Sequence, residues 1–332
     1  MLFRSCRRGP CLDKLVEDKA RVYNRVKLWV QGELSTTARD PVVTDALVSW
    51  VSGLKGAPFY AHLHLMSPHH PYDPPAPFDR FVPDRSHKPV TYYPKKSYFF
   101  FEQGAPLDQA ALDDMVARYD GDILFVDGVF ASLMARLGTM GVLDDTVVVL
   151  VSDHGEEFYD HRNWGHGQSV YDELTHVPLI VRYPPRFPPG TVVDTPVMTV
   201  DVMPTLLELA GAPPLDSLAG RSLLPIVAGT AADAGDSYSE LIYRYGEARA
   251  LVAGTDKIVD QRKDQERRTD RYDLAADPHE QHPLDATDPT GAPLVSRLQS
   301  TTAWGDAHRS AAVEGQIDQE QQKRLKALGY LE

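Results

Sequence analysis

The sequence predicts an α/β protein built on a mostly parallel sheet, and three observations carry that expectation. Thr146 to Ser152 is an almost pure β run, Pro58 to Leu65 is a second, mostly apolar run, and a long helical stripe lies between them. Strand, helix, strand in that order implies a right-handed parallel crossover. Mostly apolar runs also suit strands buried on both faces, the usual setting of parallel strands.

Taken in order, residues 1–25 are basic, carry little pattern and are left unplaced. Thr44 to Leu54 reads as a short amphipathic helix through Ala46, Leu47, Trp50, Val51 and Leu54, with Thr44 as its N-cap. After the Pro58 strand, residues 67–106 are rich in Pro, His and Tyr and read as a long loop. Residues 108–140 form the helix: Leu112, Met115, Val116, Tyr119, Ile123, Val126, Phe130, Leu133, Met134 and Leu137 recur at helical spacing, and Gly141 ends it. Val177 to Arg182 is a further strand, and Asp201 to Leu209 is a helix stopped by Gly211. Beyond Asp236, short alternating pieces at Ser239 to Tyr245, Ala250 to Val252, Lys257 to Val259 and Arg271 to Leu274 predict a small antiparallel sheet. Gln316 to Leu328 closes the chain as an amphipathic helix. The expected division is an unplaced segment 1–25, an α/β domain over 26–235 and a C-terminal subdomain over 236–332.

Composition narrows the function classes. A net charge of -13 and the lack of a basic stripe argue against a nucleic-acid partner. Two cysteines, Cys6 and Cys11, make neither a disulfide framework nor a zinc site. No apolar run is long enough for a membrane span, and the basic N-terminus lacks the apolar core of a secretory signal. Localisation is left open, with cytoplasmic as the default.

The chemistry concentrates at Asp153-His154-Gly155, where the Thr146 strand ends. Ligands of open α/β sheets bind beyond the C-terminal strand edge. Leaving the extended path at Gly155 lets neighbouring Asp153 and His154 turn toward one metal, for which Zn²⁺ or Mn²⁺ suits the pair better than Ca²⁺ or Mg²⁺. A turn with a capping Asp is the alternative reading of the same residues. His166, between two glycines, has room to reach over an anion and donate to an oxyanion. His69, in the loop after the Pro58 strand, could do the same from the other side or protonate a leaving oxygen. Glu156 and Glu157 are expected on a solvated face, and His62 and His64 as satisfied core or supporting histidines.

The combination of segments carries a resemblance. Pro58 through Pro75, with Pro68-His69-His70-Pro71-Tyr72, resembles the strand and His-x-Pro-Tyr loop of the sulfatase family of the alkaline phosphatase/sulfatase superfamily. Ser152 to Phe158, Trp164 to Gly167 and Val177 to Ile180 resemble its metal and substrate segments, while Asp201 to Leu207, Tyr272 to Pro278 and Leu325 to Leu331 are similar to its bacterial members. The resemblance implies an alkaline-phosphatase-like three-layer sandwich with a mostly parallel sheet, plus the small C-terminal antiparallel sheet and helix. It implies a metal-dependent sulfuric ester hydrolase acting on a small-molecule or glycan sulfate ester, with Asp153 and His154 as metal ligands and His69 and His166 at the sulfate and leaving group. Calcium is the family's usual metal, with Mn, Zn or Mg open. Many sulfatases carry Asn at the position of His154 and Lys at that of His166, and these two differences lean toward phosphatases and phosphonate monoester hydrolases.

The family's paired Asp ligands and its Cys/Ser-x-Pro-x-Arg nucleophile motif are not found ahead of residue 58, and Cys6 to Pro10 holds Cys, Pro and Arg in the wrong order. The expectation is therefore the C-terminal portion of a sulfatase without its nucleophile segment. A phosphoesterase of the same superfamily and a non-catalytic or split-gene subunit are the alternatives.

Overall fold

In the computed structural model the central strand is β3, Thr146–Val151. The structure describes residues 2–4, 36–83, 109–215, 218–231, 235–243, 246–263 and 266–308. Cys6, Cys11, residues 84–106 of the expected loop and the expected helix over 316–328 lie outside them.

Val147, Val148 and Val149 of β3 are all buried, and they divide between two cores as strand alternation requires. Val148 packs with Leu47, Val51, Phe59, Ala61, Leu133 and Leu137 on one face. Val147 and Val149 pack with Val202 and Leu206 on the other. Full burial of one such side chain stabilises by about 1.5–3 kcal/mol, so β3 is the anchor of the layered α/β unit. The first face is covered by α1 (Thr36–Gly53) and α2 (Gln109–Thr139), the second by α4 (Val202–Leu209), which follows a 3₁₀ turn at Thr199–Asp201.

The expected parallel sheet is not seen among the described residues. The sheet order is β2-β1-β3-β6, where β1 is Leu2–Arg4, β2 is Tyr60–Ala61 and β6 is Leu179–Arg182. Every pairing in it among the described residues is antiparallel: Leu2 opposite Ala61, Phe3 opposite Val147, Val149 opposite Val181. Strands β2 and β3 do run in one direction, because each is antiparallel to β1, but β1 stands between them. The apolar run of β3 comes from burial on both faces, which does not report strand direction. A chain that doubles straight back pairs antiparallel, and the 152–178 segment does so without a crossover helix.

Other boundaries move for local reasons. Helix α1 begins well before Thr44, whose hydroxyl donates back to the carbonyls of Asp40 and Pro41 and so caps nothing. Helix α2 lies where expected, but its buried stripe runs through Arg118, Gly121 and Asp122, while Ile123 is 43% exposed. Of the Pro58 to Leu65 run, only Tyr60–Ala61 is paired, and His62 and His64 are exposed, correcting their placement in the core.

The second sheet is the expected antiparallel meander, in the order β11-β10-β9-β8-β7. Its strands are β7 (Ser237–Tyr243), β8 (Gly246–Ala253), β9 (Asp256–Lys263), β10 (Glu266–Asp273) and β11 (Leu284–Asp285). A helix not foreseen, α6 (Ala292–Ala307), packs Leu294 and Leu298 on Leu251 and Ile258 of this sheet. Between the two sheets lie a small hairpin, β4 (Glu157–Phe158) with β5 (Trp164–Gly165), and the single-turn helix α3 (Asp172–Thr175). A further short helix, α5, spans Leu224–Val227.

Candidate active site

The chain leaves β3 through Ser152 and turns at Gly155, whose amide donates to the Leu174 carbonyl at 2.9 Å, while the Glu156 amide donates to Glu173 at 3.0 Å. A Cβ on Gly155 would sit 1.9 Å from the Glu173 carbonyl oxygen, so glycine is required there by close backbone approach. Helix α3 thus clamps the turn that presents Asp153 and His154 to solvent.

His154 Nδ1 lies 2.7 Å from the Gly155 carbonyl oxygen. A carbonyl only accepts, so that nitrogen carries the hydrogen and a neutral His154 keeps its lone pair on Nε2. Nε2 is 3.9 Å from Asp153 Oδ1. One divalent cation with bonds of about 2.1–2.4 Å spans two ligand atoms at that separation. The donor chemistry of the pair, one carboxylate oxygen and one imidazole nitrogen, therefore fits a divalent metal, and the imidazole favours Zn²⁺ or Mn²⁺ over Ca²⁺.

Two more imidazoles close on this pair. The His166 ring stacks on His154 with centroids 3.9 Å apart, and His69 meets His166 edge-on at 5.6 Å. His69 Nδ1 faces the His70 carbonyl at 2.7 Å. Burial pushes His69 below the ordinary histidine range, against the hydrogen bond to His70, with the neighbouring His166 and His154 pushing the same way as burial. His70 is pushed down to about 4, first by burial and then by His69. All four residues singled out from the sequence, Asp153, His154, His69 and His166, stand in one cluster.

Two residues of this cluster were not foreseen as part of it. Glu156 is buried, correcting its expected exposure; it accepts from His166 Nδ1 at 2.9 Å and from the Tyr72 hydroxyl at 2.5 Å. Burial pushes the Glu156 carboxyl up, but the hydrogen bonds from His166 and Tyr72 and the nearby imidazoles outweigh it and hold the group below its usual range. Both partners are remote in sequence or separated by the hairpin, so only Tyr72 in the His-x-Pro-Tyr segment signals the arrangement. Beneath the same loop, fully buried Asp40 accepts from the Met66 and Ser67 amides at 2.7 and 3.0 Å and fixes the approach to His69.

Glu157, also buried against expectation, belongs to a second group with His161 and Glu173, whose ligand atoms lie within 4.8 Å of one another. Glu157 already accepts from the His161 and Asn163 amides and from Gln168. His161 faces Glu173 through Nδ1 at 2.8 Å and the Glu280 carbonyl through Nε2 at 3.0 Å. Burial alone would lower His161, but those two acceptors raise it above the ordinary range. A ring donating from both nitrogens has no lone pair for a metal. That group is a clamp, and the Asp153–His154 pair is the better metal candidate.

The sequence matches a model of the sulfatase family over residues 4–212 and a model of the N-sulphoglucosamine sulphohydrolase C-terminal region over residues 155–303. Arylsulfatase K of Xenopus laevis is 34% identical over 148 residues, covering 45% of this chain and 27% of that protein. The phosphonate monoester hydrolase of Silicibacter pomeroyi superposes with a TM-score of 0.65 at 25% identity, over 85% of this chain and 62% of that one. A protein solved with its substrate D-glucosamine-2-N,6-O-disulfate superposes with a TM-score of 0.53 at 25% identity, over 60% and 42%. The chain thus spans less than two thirds of each of these relatives. The structural likenesses show an alkaline-phosphatase-like fold. The sulfatase model takes in the His69 loop, the Asp153–His154 turn and His166, and covers more than half of the sequence; the chain belongs to the sulfatase family.

Proposed function

We propose that this chain supplies the metal and leaving-group side of a sulfate ester hydrolase. The observation that carries the reading is the meeting of Asp153, His154, His69 and His166 in one cluster, with the Nδ1 of each of the three imidazoles held by an acceptor. A divalent cation held by Asp153 and His154 would supply positive charge to polarise an ester oxygen. His69, neutral and donating through Nδ1 to His70, keeps Nε2 as a proton acceptor. His166, paired with Glu156, presents Nε2 toward the ester and in its protonated form donates from it. The cysteines lie outside the described residues, and the reading assigns no attacking group.

A sulfated sugar is the substrate class supported by the likeness to the protein bound to D-glucosamine-2-N,6-O-disulfate. A second reading, phosphonate monoester hydrolysis, is favoured by imidazoles at positions 154 and 166 and by the likeness to a phosphonate monoester hydrolase. Assaying the full chain with Ca²⁺, Mn²⁺ or Zn²⁺ on 4-nitrophenyl sulfate and on a 4-nitrophenyl phosphonate monoester decides between them. Any metal-dependent sulfate release should fall by about 10²–10⁴-fold in His166→Ala, the range of a lost proton-transfer group. Faster turnover of the phosphonate would favour the second reading, and no turnover with any metal would reject catalysis by this chain.

A further inference from the structure

We propose that Glu156 is the positioning residue of the centre: its carboxylate keeps a hydrogen on His166 Nδ1 and, through Tyr72, locks the His69 loop to the Asp153–His154 turn. The meaning of the proposal for catalysis rests on the functional reading above, but its geometry and its test do not.

Burying a carboxylate is costly unless its oxygens are hydrogen-bonded. Glu156 divides its two oxygens between two different elements of the centre. Oε1 takes His166 Nδ1, ten residues ahead across the hairpin, and Oε2 takes the Tyr72 hydroxyl, 84 residues earlier in the chain. Neighbouring residues of an extended segment face opposite ways, so Glu156 points into the centre while Glu157 points into the clamp. The two tautomers of a neutral histidine are chosen by the partner of one nitrogen. A carboxylate accepts and never donates, so the Glu156 contact selects the Nδ1–H form and leaves the lone pair on Nε2.

The consequence reaches beyond one ring. His166 stacks on His154 and touches His69, so the orientation of His166 constrains both neighbours. Tyr72 is itself buried and packs edge-on to His70 and to Tyr119 of α2. Glu156 is thus the point where the loop after β2, the turn after β3 and the β4–β5 hairpin share one hydrogen-bonded group. A purely structural carboxylate would serve as well by bonding two backbone amides, as Asp40 does.

The test is ring-nitrogen NMR on the metal-free full chain labelled with ¹⁵N-histidine, read at a pH of about 9 so that imidazoles are neutral. The variant His166→Asn identifies the His166 signals. We expect a hydrogen on His166 Nδ1 in the unaltered protein. Glu156→Gln should retain it, because the amide oxygen still accepts from Nδ1 and the amide nitrogen still donates to Tyr72. Glu156→Ala should lose it to Nε2. A bare Nδ1 in the unaltered protein would overturn the proposal, as would loss of the Nδ1 hydrogen in Glu156→Gln or its retention in Glu156→Ala. No substrate, metal or turnover enters the measurement, so the proposal and the hydrolase reading fail separately.

Discussion

Glu156 and Glu157 are adjacent, buried and bonded to histidines or their backbone, yet they serve opposite ends. On the Glu156 side, His154 and His166 each spend one ring nitrogen on an acceptor and keep the other. On the Glu157 side, His161 spends both, and the group continues into Glu280 and fully buried Lys257, which reaches Glu280 at 2.8 Å and Asp172 at 2.7 Å. Residue type and proximity do not separate the two clusters, since the second also gathers three possible metal ligands within 4.8 Å of one another. The remaining valence does. A cluster whose histidine has both ring nitrogens engaged holds the fold, and one whose histidines engage only Nδ1 is available for chemistry.

The largest effect that would break this contrast lies at Lys257. It comes from β9 of the second sheet and grips Asp172, the first residue of α3, whose carbonyls at Glu173 and Leu174 hold the Asp153–His154 turn. Removing one partner of a buried ion pair leaves an uncompensated charge and costs about 3–5 kcal/mol. Lys257→Met should therefore lose roughly that much unfolding free energy in urea titrations. A loss below about 1 kcal/mol would mean that the second cluster is not a clamp.

Next in size is the metal. Asp153→Asn and His154→Ala should each weaken Zn²⁺ or Mn²⁺ binding by tenfold or more, about 1.4 kcal/mol, in calorimetric titrations. Both side chains lie at the surface end of the turn, 65% and 35% exposed, so unfolding free energy should move by no more than about 0.5 kcal/mol. His161→Gln should do the reverse, leaving metal affinity unchanged while lowering stability. Metal binding that depends on His161 and ignores His154 would exchange the roles assigned to the two clusters.

How much of this was readable beforehand follows from the range of the interactions. Helix α2, strand β3 and the meander announce themselves through local periodicity, because their burial pattern repeats every few residues. The direction of the first sheet does not, since Val147 to Val149 would be apolar in any strand covered on both faces. The four candidate residues, Asp153, His154, His69 and His166, follow strand ends and short motifs, so the sequence singles them out. Glu156 and Glu157 were misplaced because their burial is justified only by partners that folding brings in: Tyr72 for one, and for the other a hairpin closed by Asn163 and Gln168. Arg118 and Asp122 interrupt the helix stripe for a similar reason. Asp122 sits fully buried under the loop, where it accepts from the Asp73 amide, a role no apolar template assigns.

The smallest effect sharpens the contrast through pH. Acceptors from Glu173 and Glu280 outweigh burial and raise the His161 imidazole above the ordinary histidine range in the folded chain. Folding then favours the protonated ring, so the stability it contributes is fully present below the unfolded value near 6.5 and is lost as pH rises through the folded value. Burial holds the Glu157 and Glu280 carboxyls above their usual range as well, and their contribution also falls with rising pH, but it begins in the lower, carboxylate range. The difference in unfolding free energy between the unaltered chain and His161→Gln should therefore shrink between a pH of about 6 and about 9, the carboxyl contributions being common to both proteins. A difference constant across that window would mean that His161 does not fold as a cation. One ring nitrogen would then be free, and the distinction between clamp and centre would have to rest on burial alone.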